Sequence, residues 1–234
     1  NKLLENSILS MSKGDYHNAQ RNALKALPSC DNPVLAYTQI IQAYDSQNKH
    51  KERDEWIKKA HEKLSHAETH ILLIQANTQL KSSNYESAKV ILEKINKIEP
   101  DNTIAAGLLA DLQIKFSEWK QLENNLALLK SLNRTEEEKI FELELVSITE
   151  LIKDAKTSDV LKKTWKGASS SVRENSYLID TYCKKLKELN ENEIAEKIIL
   201  NFLKKTFDET LVYTFISLNQ DQSDKVIKKI SQWQ

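Results

Sequence analysis

The stretch from Ser83 to Pro100, SNYESAKVILEKINKIEP, has three look-alikes in a chain of 234 residues: KGDYHNAQRNALKALP, FSEWKQLENNLALLKSL and NENEIAEKIILNFLKK. Aligning their small and apolar residues brings Ala19 and Ala26, Ala60, Ala88 and Ile95, Leu122 and Leu129, and Ala195 and Phe202 into register. The steps from Ala26 to Ala60, Ala60 to Ile95 and Ile95 to Leu129 are 34, 35 and 34 residues. Self-similarity at a fixed interval of this size marks one supersecondary unit used repeatedly, and it limits the chain to architectures built by stacking that unit.

The residues within each unit say what it is. Bulky side chains three and four apart (Tyr37, Ile40, Ile41 and Tyr44; Leu72, Ala76 and Leu80; Ala106, Leu109, Ala110 and Gln113) form one apolar stripe of a first helix. A polar break follows at Lys13-Gly14-Asp15, Gln47-Asn48-Lys49, Ser82-Ser83-Asn84 and Ser117-Glu118. Tyr16, Tyr85 and Trp119 open the second helix, and Ala19 or Ala88 then lets the two helices approach closely. The spacing is that of the tetratricopeptide repeat (TPR). It predicts an all-α, right-handed superhelical solenoid of antiparallel helix pairs with one long inner surface.

We expect a single solenoid over 1–234, with units at about 1–32, 34–67, 69–102 and 103–134, and another at 176–207. Between them the phase is lost, and an irregular pair is expected over 135–167. Its long helix would be capped at Thr135 and rich in acid at its start, and its shorter helix would hold Val160, Leu161 and Trp165. The run Lys166 to Ser171 reads as a flexible loop, and closing helices are expected over 208–233.

Composition supports helices and narrows the chemistry. Glycine and proline number three each, which leaves little material for sheet turns or phosphate-cradling loops. With 34 basic against 34 acidic residues, the chain has no net field to attract nucleic acid, which is not expected as a partner. No apolar run is long enough to span a membrane. The chain opens on Asn1, which suggests a piece of a longer protein whose anchor lies outside it. Cys30 and Cys183 belong to no C-x-x-C pair and read as free thiols.

No catalytic residues and no metal ligands are predicted. The chain lacks G-x-S-x-G, H-E-x-x-H and G-x-x-x-x-G-K, and Gly14, Gly107 and Gly167 are too scattered for a dinucleotide loop. His61 and His66 read as solvated or turn-capping groups, and Trp56 and Trp119 as packing residues. Lysine clusters at Lys153 to Lys166, Lys184 to Lys187, Lys204–Lys205 and Lys228–Lys229 suggest a docking surface for an acidic protein or anionic headgroups. Along the first helices, the positions facing the concave surface are Thr38, Gln42, Asp45, His70, Leu73, Asn77, Lys81, Asp111, Lys115 and Lys184. This polar surface with apolar islands suits an extended peptide or a partner's helix. A carboxylate clamp would need a lysine where Leu73 stands, so capture of chaperone tails is not the expected use.

The order of units carries a further signal. YTQIIQAYDSQNKHKERDEWIKKAHEKL, then THILLIQANTQLKSSNYESAKVILEKINKIEPDN, LLADLQIKFSEWKQLENNLALLKSL, VLKKTWKG and YLIDTYCKKLKELNENEIAEKIILNFLKK together resemble the tetratricopeptide region of the HemY family of proteobacterial inner-membrane proteins. Arg53-Asp54-Glu55-Trp56-Ile57 and the isolated Leu161–Trp165 helix carry the more specific part. Gly167 and the serines after it depart from the family's leucine-proline step. The resemblance implies a non-catalytic interaction scaffold, anchored in the bacterial inner membrane by N-terminal helices outside this chain. Its partners would be haem-biosynthesis enzymes, organised for late haem (porphyrin) biosynthesis on the cytoplasmic face, with the periplasmic face as the alternative. No cofactor is expected; direct haem or porphyrin carriage is the competing expectation.

Overall fold

The computed structural model describes residues 2–132 and 135–219, together with 226, 227 and 229. Among the described residues there is no strand. The chain divides into two compact units, Asn1–Leu109 and Ala110–Gln234.

The first unit holds α1 (Lys2–Ser12), α2 (Tyr16–Ala26), α3 (Pro33–Ser46), α4 (His50–Lys63), α5 (Glu68–Lys81) and α6 (Tyr85–Ile98). The boundary falls inside α7 (Thr103–Lys115). The second unit holds α8 (Trp119–Leu132), α9 (Glu137–Asp154), α10 (Ser158–Gly167), α11 (Ser170–Arg173), α12 (Ser176–Glu188), α13 (Asn192–Leu203) and α14 (Glu209–Leu218). Consecutive helices pair as antiparallel hairpins, α1 with α2, α3 with α4, α5 with α6 and α12 with α13.

One turn recurs at the predicted polar breaks. Gly14, Asn48, Ser83, Ser117 and Asn190 all adopt positive φ, between 57° and 75°. The next residue's N–H reaches back five positions, as in Asp15 to Ser10 O at 2.9 Å, Lys49 to Tyr44 O at 3.0 Å, Asn84 to Gln79 O at 2.9 Å, Glu118 to Gln113 O at 2.8 Å and Glu191 to Leu186 O at 2.8 Å. A left-handed residue bonded in this way satisfies carbonyls that the helix end would otherwise orphan, and it reverses the chain in three residues. Beyond the turn, Ala19, Ala88, Leu122 and Ala195 are fully buried where the two helices touch. Arg53 occupies the corresponding position of the second hairpin and is itself only 6% exposed.

The segment between the regular hairpins is built differently. Glu136 precedes α9 without a side-chain cap, so the cap expected at Thr135 is not formed. Leu161 is fully buried and Trp165 stacks on the Tyr182 ring at 4.2 Å, whereas Val160 is exposed rather than in the core. The run from Lys166 to Ser171, expected to be a loose loop, is ordered by specific bonds. Helix α10 continues through Gly167, Ala168 is buried, and Ser169 caps α11 by accepting from the Val172 N–H. The carboxylate of Glu144 accepts from the Ser169 N–H at 2.8 Å, from the Ser169 hydroxyl at 2.9 Å and from Lys130 Nζ at 2.7 Å. Burial alone would raise the pKa of Glu144, but these three donors outweigh it and hold the group below its ordinary value. The closing helix expected near 223–233 lies largely outside the described residues; 226, 227 and 229 are helical.

Candidate functional site

In the first unit, seven of the predicted surface residues fall on two helices, α3 and α5. These helices are tied to one another at both ends of a shared face. At one end the Thr38 hydroxyl donates to Val34 O at 2.8 Å and stands 3.1 Å from His70 Nε2. The His70 ring and the Thr38 hydroxyl thus share a hydrogen bond between the two helices. At the other end Lys81 Nζ lies 3.4 Å from Asp45 Oδ2. Between the two ties stand Gln42 and Leu73, both half-buried, and Asn77, which is exposed. Asn77 donates to Leu73 O at 3.0 Å, so its Oδ1 and its second N–H remain for a ligand.

Asp45 is less available than its position along the helix suggests. Its side chain is only 9% exposed because Arg53, from α4, binds Oδ1 at 2.9 Å. Arg53 also binds Asp54 at 2.8 Å. Burial works to lower the pKa of Arg53, but the hydrogen bonds to Asp54 and Asp45 raise it overall, so the guanidinium stays charged in the hairpin. Arg53 therefore holds a surface residue from below. Its signal in the sequence is an arginine standing in register with Ala19, Ala88 and Ala195.

The second unit carries the remaining three. Asp111 on α7 pairs with Lys139 on α9 at 3.2 Å, and Lys115 is exposed on the last turn of α7. On α12 the buried Asp180 accepts from the Thr214 hydroxyl at 2.5 Å and from Lys184 at 2.7 Å, which ties α12 to α14. Tyr177, 57% exposed, overlooks an open cavity of about 320 Å³ that Lys153 and Lys184 also line. Four members of the lysine clusters are paired with neighbouring carboxylates: Lys153 with Glu150, Lys162 with Glu191, Lys184 with Asp180 and Lys185 with Glu188. Lys228 lies outside the described residues.

Among the described residues, no group of three or more His, Cys, Asp or Glu is placed to hold a metal ion. Nor is any helix among them long and apolar enough to cross a membrane. Burial pushes the Cys183 thiol up to about 12, so it is protonated at neutral pH, and its sulfur sits 3.7 Å from Ala195 O. Cys30 donates to Asn32 O at 3.0 Å.

Stacked helix hairpins, a repeated left-handed turn and first helices tied face to face define an all-α tetratricopeptide-repeat fold. Solved structures agree. A tetratricopeptide repeat protein from Parabacteroides merdae superposes with a TM-score of 0.52 at 16% identity, covering 96% of this chain and 87% of that one. A chain of the Naa15/Naa10 complex bound to HypK-THB gives 0.51 at 13% identity, covering 99% of this chain and 41% of that one. No protein-family model matches the chain. In sequence it is similar to Protein HemY of Escherichia coli (strain K12) and of Shigella flexneri, 21% identical to each over 97% of this chain and 59% of the relative. The chain is a HemY-like tetratricopeptide region, and it spans 59% of the length of these relatives.

Proposed function

We propose that the chain is a non-catalytic scaffold that holds protein partners on its inner helix faces. The α3–α5 face carries the proposal. Two ties fix its ends, and between them Gln42 and Asn77 offer amide donors and acceptors on either side of Leu73. A face of this kind is preorganised, so a peptide backbone laid along it pays little reorganisation, and an apolar side chain can rest on the leucine. The similarity to Protein HemY supports the fuller reading: a segment of a longer protein anchored in the inner membrane, gathering enzymes of late haem biosynthesis on the cytoplasmic side.

The test is crosslinking and pull-down of the full-length protein from its native membrane, with Asn77, Asp111 and Lys115 replaced by alanine. The expected outcome is loss of most of the haem-pathway enzymes recovered with the parent, and an unchanged set would overturn the assignment to these faces. Direct porphyrin carriage is the competing reading. Cys183, a thiol that could ligate a haem iron, is buried and neutral, with its sulfur 3.7 Å from Ala195 O. Titration of the purified chain with haem is therefore expected to give no saturable, shifted Soret band at micromolar concentration. Such a band would replace the scaffold reading with the carrier.

A further inference from the structure

The irregular segment of the second unit borders an open groove. The second helices of the regular hairpins run from 11 residues in α2 and 12 in α13 to 14 in α4, α6 and α8. In the irregular pair that position is split between α10, of ten residues, and α11, of only four. Residues at the end of α11 and along α13 line an open cavity of about 670 Å³. Ile198, Asn201, Phe202 and Lys205 line it from α13 and its C-terminal turn. Their spacing of three, four and seven residues puts them on one stripe of that helix. Ile179 contributes to the floor from α12, and Arg173 stands at the opposite wall on α11.

Among the described residues, part of the unit's cationic charge is paired with carboxylates, and part, including that at this groove, is not. Lys130, Lys139, Lys153, Lys162, Lys184 and Lys185 each sit within salt-bridge distance of a carboxylate. Arg173 and Lys205 are exposed and form no ion pair among the described residues, and Glu174 is the one acid in the lining. Apolar residues between two exposed cations are complementary to a helix with an apolar stripe and acidic flanks. We infer that the α11–α13 groove docks an acidic amphipathic helix of a protein partner. This surface is distinct from the inner faces and does not depend on them.

The probe is a fluorescein-labelled synthetic helix of about 18 residues with leucine on one stripe and glutamate elsewhere, titrated by fluorescence anisotropy. A peptide of the same leucine stripe with lysine in place of glutamate is the control. Saturable binding of the acidic peptide is expected, weakening as salt is raised. It should fall about tenfold or more in the Arg173→Glu/Lys205→Glu double variant. Both residues are exposed, so the variant should keep the parent's thermal midpoint; Asn201→Asp gives a second, milder charge change at the same wall. The inference is overturned by absence of saturable binding, by equal binding of the lysine peptide, or by unchanged affinity in the charge variants. Loss of binding in Asn77→Ala, with the charge variants unaffected, would place the peptide on the inner face: the groove assignment would fail and the scaffold reading would survive.

Discussion

The α5–α6 hairpin and the α9–α11 segment both fold the chain back on itself, and they do it by opposite means. In α5–α6 the reversal is local. Ser83 turns left-handed at φ 59°, Asn84 bonds back to Gln79, and the fully buried Ala88 lets the helices meet. In α9–α11 the residue after α9, Ala155, is extended at φ −61° and ψ 124°, and the segment is held by contacts from far along the chain. Ser169 is 25 residues from Glu144, and Lys130, which shares that carboxylate, comes from α8. The first design writes its geometry into a few adjacent residues, whereas the second writes it into one buried carboxylate.

That contrast is broken most severely at Glu144. Its side chain is 7% exposed, so Glu144→Ala would leave the Ser169 N–H without its acceptor and the Lys130 ammonium without its partner. Lys130 is 40% exposed and can be rehydrated, which limits its share. A loss of about 2–3 kcal/mol is expected in urea unfolding. The contribution should also depend on pH. Because the folded protein holds Glu144 below its ordinary 4.5, the unfolded chain binds the proton more readily. The stabilisation is therefore complete above that value and is lost as pH falls through the lower, folded one. The difference in unfolding free energy between parent and Glu144→Gln should shrink from pH 7 to pH 3, and a constant difference would show that the carboxylate is not the tie.

The local design is tested at Ala88, which is fully buried against α5. Ala88→Leu inserts three carbons where the helices touch and should cost about 1–3 kcal/mol, read as a lower thermal midpoint with the helical spectrum retained. Arginine already stands at this register in the neighbouring hairpin, so a polar route around the restriction exists. There the guanidinium of Arg53 is directed at Asp45 and Asp54. If Ala88→Leu proved neutral, close helix approach would not be what the small residue secures.

These two designs also explain what could be read from the sequence. The hairpins were legible because period, polar break and small residue are all local signals. The all-α repeat fold follows from the steps between Ala26, Ala60, Ile95 and Leu129, together with the polar breaks and the small residues such as Ala19 and Ala88. The serine run after Gly167 looked like a loose loop because Glu144, the partner that orders it, lies on another helix with nothing in its neighbourhood to mark it. At the candidate site, helical spacing placed Thr38, Gln42, Asp45, His70, Leu73, Asn77 and Lys81 on α3 and α5. Spacing could not show that Thr38 and His70 bond across the helices, or that Arg53 draws Asp45 down. Those depend on which side chains meet between helices, and a single sequence does not encode that in any periodic form.

The smallest expected effect concerns the turn itself. Among the described residues five turns use a left-handed residue, and of these only Gly14 is glycine, with φ 75° and open space where a Cβ would stand. An L-residue in this conformation pays roughly 1–2 kcal/mol for the approach of its Cβ to the next carbonyl, partly offset by the entropy a glycine loses on folding. Ser117→Gly should therefore stabilise by about 0.5–1 kcal/mol, and Asn48→Gly by less, because asparagine tolerates this conformation better. Gly14→Ala should destabilise by about 1 kcal/mol, and since nothing crowds the site, backbone conformation alone would be responsible. Thermal midpoints of the three variants form an ordered series, with Ser117→Gly highest and Gly14→Ala lowest. If Ser117→Gly lowered the midpoint instead, the serine would contribute more than its dihedral cost, and the five turns could not be treated as one motif.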